Sequence, residues 1–174
     1  MQALVPVALA RVHGLERIEA GARLKIPRIP SAWMYSVLRS ARAHLPKEAM
    51  YQFTYSSGAG MGWAGRMPAQ ATTPGRAEYD NIGDAVVDLH SHAEMAPFFS
   101  DTDDADERGL RFYVVIGKIN ADAPEIAVRV GVYGYTWNVP ALTVFDGLGP
   151  FVEVDPEVEG VLAEAEFENA KSVE

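Results

Sequence analysis

Cysteine is missing from all 174 residues, which excludes disulfide staples, thiolate metal sites and a cysteine nucleophile. Any transition-metal site must therefore be built from histidine and carboxylate. Histidine is itself scarce, with four in the chain, at 13, 44, 90 and 92. Basic charge is short as well: 15 Lys and Arg stand against 24 Asp and Glu, a net charge of −9. That balance disfavours a nucleic-acid binder, which needs a basic face to meet phosphates. Apolar runs stop far below the ~20 residues that span a bilayer. The first of them, Ala3 to Ala10, contains Pro6 and has no basic residue before it, so a signal peptide is not expected. The expectation is a soluble cytoplasmic protein without a membrane partner.

What is present is an ordinary globular composition, 48% hydrophobic and 22% charged, long enough to bury a sizeable core. One domain over 1–174 is expected, without internal repeats. Residues 1–29 read as short strands and turns, with Val5–Val12 and Leu24–Ile29 the more apolar pieces. Met34, Val37, Leu38, Ala41 and Leu45 recur at helical spacing and predict a helix over 31–45, capped by Ser31 and stopped by Pro46. Glu48–Tyr55 reads as an aromatic-rich strand, followed by a glycine-rich hairpin or loop at 56–65. That loop lacks the Lys-Ser/Thr pair of a nucleotide-binding motif. Residues 66–84 hold few large apolar groups and read as a long connection. Ala85–Leu89, Arg111–Ile119 and Ile126–Val139 predict strands, with Ala141–Phe145 a further candidate. Pro156 to about Lys171 predicts an amphipathic C-terminal helix. With no regular βαβ alternation, the predicted class is mixed α/β: a central mixed sheet flanked by helices.

The chemistry concentrates between His90 and Asp103. On an extended backbone, residues i and i+2 face the same way, so His90 and His92 can turn toward one ion. A third ligand must return from elsewhere, and Asp103 serves if the intervening residues loop back. Ser100 would cap a short helix over 101–108, with Asp103 in its first turn. Three protein ligands with one open position is the pattern of a catalytic zinc rather than a structural one. Plainer readings stand beside this: His-x-His as a polar strand end, and the acidic run from Asp101 to Glu107 as a solvated helix start. The complete arrangement, His-x-His followed by Ser and Asp at these offsets, should arise by chance in roughly one chain in several thousand.

The segment DLHSHAEMAPFFSDTDDAD resembles the JAMM signature of the JAB/MPN zinc metalloprotease family, and within it prokaryotic JAB-domain proteins such as the PRTRC system protein A group. The resemblance runs from about Pro46 to Val139. It implies that His90, His92 and Asp103 are zinc ligands and that Ser100 stabilises an oxyanion. It also implies a general base before the His-x-His, after a helix and at the start of a strand. Glu48 holds that place, 42 residues ahead of His90, with Glu78 as fallback. Two positions depart from the pattern: Ala93 stands where proline is usual, and no glycine follows Glu48 three residues on. Asp88 and Asp104 are candidate partners for the ligands.

Two other His-x-His architectures do not fit. A cupin needs its glutamate about four residues after the second histidine, where Ala96 stands. An amidohydrolase barrel needs ~250 residues and more metal-binding histidines. The expected function is zinc-dependent hydrolysis of an amide bond by a metalloprotease or isopeptidase. The resemblance implies a protein or peptide substrate, more narrowly a ubiquitin-like tail. The alternatives are a catalytically silent scaffold of the same fold and a zinc site that only stabilises it.

Overall fold

β-branched and aromatic runs pair into one mixed sheet in the computed structural model, which describes residues 2–4, 21–58, 60–73, 76–80 and 82–155. In chain order the elements are β1 (Gln2–Leu4), β2 (Gly21–Arg23), α1 (Ala32–His44), β3 (Met50–Ser56), β4 (Gly62–Arg66), β5 (Gln70–Thr73) and β6 (Arg76–Tyr79). They continue with β7 (Val87–Ser91), α2 (Asp101–Asp106), β8 (Leu110–Gly117), β9 (Glu125–Val132), β10 (Tyr135–Asn138) and β11 (Val152–Glu153). The main sheet has seven strands in the order β10-β9-β8-β7-β3-β4, with β11 also on β9. The pairs β7–β8 and β9–β11 are parallel and the rest antiparallel, so the central mixed sheet is as expected, and among the described residues few helices accompany it. Among the described residues, no helix is long and apolar enough to cross a membrane.

One face of the sheet is apolar and meets α1. Register aligns Tyr51, Leu89, Val114 and Val128 in one row, and Phe53, Val87, Phe112 and Val130 in the next. These rows join Met34, Val37, Leu38 and Ala41 of α1 in a single core. Each large side chain buried there contributes about 1.5–3 kcal/mol. The opposite face is polar yet covered: Gln52, Asp88, Tyr113 and Arg129 align across four strands, and all four are buried.

The cover follows from topology. A parallel pair cannot be closed by a tight turn, so the chain leaving β7 must cross over before it enters β8. That crossover, residues 92–109, contains α2 and lays Phe99, Asp104 and Glu107 against Arg129 on the polar face.

Several local expectations change. Ser31 is helical (φ −58°, ψ −24°) and makes no side-chain cap; its N–H donates to Asp146 Oδ1 instead. Leu24–Ile29 forms no strand, only an isolated bridge from Ile29 to Phe145. Residues 66–84 are not structureless, since β5 and β6 pair there as a separate hairpin. The run 126–139 is two strands, not one, folded back at Tyr133 (φ 49°) and Gly134 (φ 94°). Positive φ at both central residues is what a right-twisted two-residue hairpin needs. Ala141–Thr143 is a 3-10 turn after Pro140 rather than a strand. The expected pieces at 5–12 and 156–171 lie outside the described residues.

Candidate metal centre

β7 is buried along its whole length and delivers His90 at the sheet's upper edge, with His92 just beyond the strand. The His92 N–H bonds the Ile116 carbonyl, and Lys118 and Ile119 N–H groups bond the carbonyls of Met95 and Ala93. The loop after the histidines is thereby fastened to the end of β8. Gly117 makes this possible: a Cβ there would lie 2.3 Å from Met95 O and 2.6 Å from Pro97 N. Ala93 has φ 49°. Proline, fixed near −65°, cannot adopt that angle, so alanine in place of the usual proline marks a different backbone path.

The crossover returns Asp103 to the histidines. Ser100 caps α2 with a complete capping box: its Oγ accepts from Asp103 N–H, and Asp103 Oδ2 accepts from the Ser100 N–H (2.7 Å) and hydroxyl (2.6 Å). Those bonds turn the other oxygen, Oδ1, to 3.5 Å from His90 Nε2. The two histidine Nε2 atoms are 3.1 Å apart. Donors on one tetrahedral zinc, at about 2.0–2.1 Å each, lie about 3.3–3.4 Å from one another. Ligand atoms of His90, His92 and Asp103 all fall within 4.8 Å of each other, so the three could hold a metal ion. Phe98 stacks edge-on against the His92 ring, 4.5 Å between centroids, and fixes its plane.

Electrostatics favour the same use. Burial lowers the pKa of His90, with Asp103 opposing, and lowers that of His92 to about 3. Both imidazoles are neutral at pH 7, the form that binds metal. Burial works against the Asp103 charge, but His90 and the Ser100 bonds outweigh it and hold the carboxyl below its ordinary range. Two neutral imidazoles and one carboxylate are a donor set suited to zinc.

Glu48 reaches the site through strand register. Met50 pairs with His90, and one step further out the Ser91 N–H bonds the Ala49 carbonyl while the Ala49 N–H bonds Ser91 Oγ. Continuing that antiparallel register sets Glu48 opposite His92. The side chain is buried, and desolvation plus the Asp103 charge push its pKa up to about 7. Gln70 of β5 bonds both the N–H and the carbonyl of Met50, which ties the β5–β6 hairpin beside the same strand start. The Glu78 side chain lies outside the described residues. Asp88 and Asp104 hydrogen-bond elsewhere: Asp88 bonds Gln52 and Arg111 and reaches His90 through its charge, and Asp104 bonds Arg129.

Sequence reasoning missed Arg129 and Gly117. The signal for Arg129 was a lone cation inside the run IAVRVGV, whose other residues are all apolar.

Residues 52–131 match the family model of prokaryotic homologs of the JAB domain, which supports the prokaryotic JAB/MPN family for this chain. The matched stretch holds His90, His92, Ser100 and Asp103, and Glu48 precedes it. It does not distinguish the PRTRC group within the family. A comparison with curated proteins finds no match.

Proposed function

We propose that this JAB-type chain is a zinc-dependent peptidase or isopeptidase, with His90, His92 and Asp103 as ligands and Glu48 as general base. The observation that supports it most is the convergence of two neutral imidazole nitrogens and an oriented carboxylate oxygen at the end of β7. When bound, zinc would supply a water acidic enough to yield hydroxide near neutral pH and would polarise the substrate carbonyl.

The chain's own groups do the rest. Glu48 takes one proton from the attacking water and returns it to the departing amine nitrogen. A carboxyl with a pKa near 7 is matched to both transfers. Ser100 holds Asp103 in the resting site through its hydroxyl and N–H. Rotated toward the substrate, the same hydroxyl donates to the developing oxyanion. Asp103 Oδ2 then keeps its bond from the Ser100 N–H when it loses the one from the hydroxyl.

The substrate in this reading is an extended protein or peptide tail, ubiquitin-like in its narrower form. The β3–β4 and β5–β6 hairpins would border its path, with β4 as an edge strand able to pair with it. The test is incubation of zinc-loaded protein with glycine-terminated tail fusions joined through peptide and through lysine isopeptide bonds, read by mass spectrometry. Cleavage by wild type and none by Glu48→Gln supports the reading. Stoichiometric zinc with no cleavage in either linkage would leave a scaffold whose metal only stabilises it.

A further inference from the structure

Asp103 must be held against two histidines that sit on a different element, and α2 has little of its own with which to do this. It is six residues long, too short to persist alone. None of its residues is buried, so no apolar stripe glues it to the sheet. Asp101, Asp103, Asp104, Asp106 and Glu107 crowd one short stretch and repel one another.

Arg129 fills the gap. It lies on β9, 6% exposed, and its guanidinium touches the crossover at three points. Nε donates to Glu107 Oε2 at 2.6 Å, at the end of the helix. Nη1 donates to Asp104 Oδ1 at 2.6 Å, the residue after the ligand. The guanidinium carbon sits 4.0 Å from the centre of the Phe99 ring, immediately before the capping serine. The body of α2, its C-terminal cap and the residue before its N-cap are thus fixed to one planar group. Lysine, a point charge on a flexible stem, cannot reproduce that fork. In the same sheet Arg129 aligns through Tyr113 to Asp88, two residues before His90, so helix and histidines share one rigid frame.

We infer that Arg129 is a positioning residue for the metal centre: it clamps α2 to the sheet so that Asp103 Oδ1 meets the histidine nitrogens. The inference rests on the metal-site reading above. It assigns Glu107 and Asp104 to the clamp rather than to chemistry. The contacts of Arg129 are with the crossover that carries Asp103, so its orienting effect on the metal passes through that ligand, while its charge also reaches His90.

The test is zinc affinity by competition with a chromogenic chelator, on the full chain, for wild type, Arg129→Met, Asp103→Ala and the double variant. Arg129→Met should weaken zinc about 10–100-fold, as loss of a group orienting a ligand does. On the Asp103→Ala background the same change should cost far less, since only the charge acting on His90 remains to be lost. Arg129→Lys should fall between Met and wild type. Cobalt-substituted Arg129→Met should show weaker visible bands than wild type, reporting a lost or lengthened carboxylate bond. Should Arg129→Met fail to fold with Glu107 left unpaired, Arg129→Met/Glu107→Gln removes both charges and carries the same prediction. The exposed Asp104→Ala should cost a smaller part of the affinity. Wild-type affinity in a folded Arg129 variant would overturn the clamp and leave the metal site standing. An equal loss with and without Asp103 would also overturn it, as general damage to the fold. Absence of zinc binding in the wild type would overturn both.

Discussion

Replacing Glu48 by glutamine separates what this carboxyl does for chemistry from what it does to the fold. Burial and the neighbouring Asp103 raise its pKa from 4.5 to about 7, so the folded protein prefers it protonated. A carboxyl raised on folding adds no penalty well below its unfolded value, destabilises increasingly as pH rises from there, and reaches its full cost above its folded value. The full cost above pH 7 has a ceiling of about 3 kcal/mol, at about 1.36 kcal/mol for each pH unit between the two values. Solvent relaxation around a partly hydrated group reduces that to about 2 kcal/mol. Glutamine keeps the shape without the charge. In metal-free protein held in chelator, Glu48→Gln should therefore melt about 4–8 °C higher than wild type at pH 8. At pH 5 only about a quarter of that gain should remain, and it should vanish below about pH 4. Zinc should shrink the gain at pH 8, because a dication near Glu48 stabilises its charged form. Hydrolysis by the variant should fall about 10²–10⁴-fold, the usual contribution of a general base. Melting curves at pH 5 and 8, with and without zinc, decide the matter. A variant less stable than wild type at pH 8, or a gain equally large at pH 5, would refute the reasoning.

Other expectations follow from the same geometry. Gly117→Ala would drive a methyl into the backbone of Met95 and Pro97. It should cost about 1–3 kcal/mol of stability and weaken zinc binding measurably by chelator competition; an unchanged affinity would show that the 93–97 loop does not position His92. Ala93→Gly relieves a positive φ and should raise stability by up to about 1 kcal/mol in denaturant melts, whereas Ala93→Pro should lower it. Because burial has already lowered both histidine pKa values, protons should not compete with zinc until pH is well below the ordinary imidazole value. In Glu48→Gln, which removes the carboxyl that titrates near 7, affinity should fall little between pH 7 and 6, and a steep decline beginning at about 6.5 would contradict the assigned environments.

Local rules carried much of the site. Strand alternation alone set His90 and His92 on one side, and Ser100 was legible as the cap of a short helix, which ends at Asp106 rather than 108. The α1 stripe of Met34, Val37, Leu38 and Ala41 was legible from its period and is the face that is buried. What failed depended on partners distant in sequence. Ser31 looked like a cap, yet Pro30 and Asp146 draw it into the first turn. Polar β5 and β6 have no amphipathic signal, and their pairing with each other and through Gln70 to Met50 is tertiary. The buried polar face could not be read at all, because Asp88–Arg111 and Arg129–Glu107 become partners only once the crossover has folded back.

Everything proposed for this chain turns on the metal, and elemental analysis of purified wild type and His92→Ala tests it most directly. About one zinc per chain is expected in the wild type, and its loss in a folded His92→Ala. No metal in either protein, even after zinc is supplied, would contradict the assignment and leave a JAB-type scaffold that does not bind zinc through this motif.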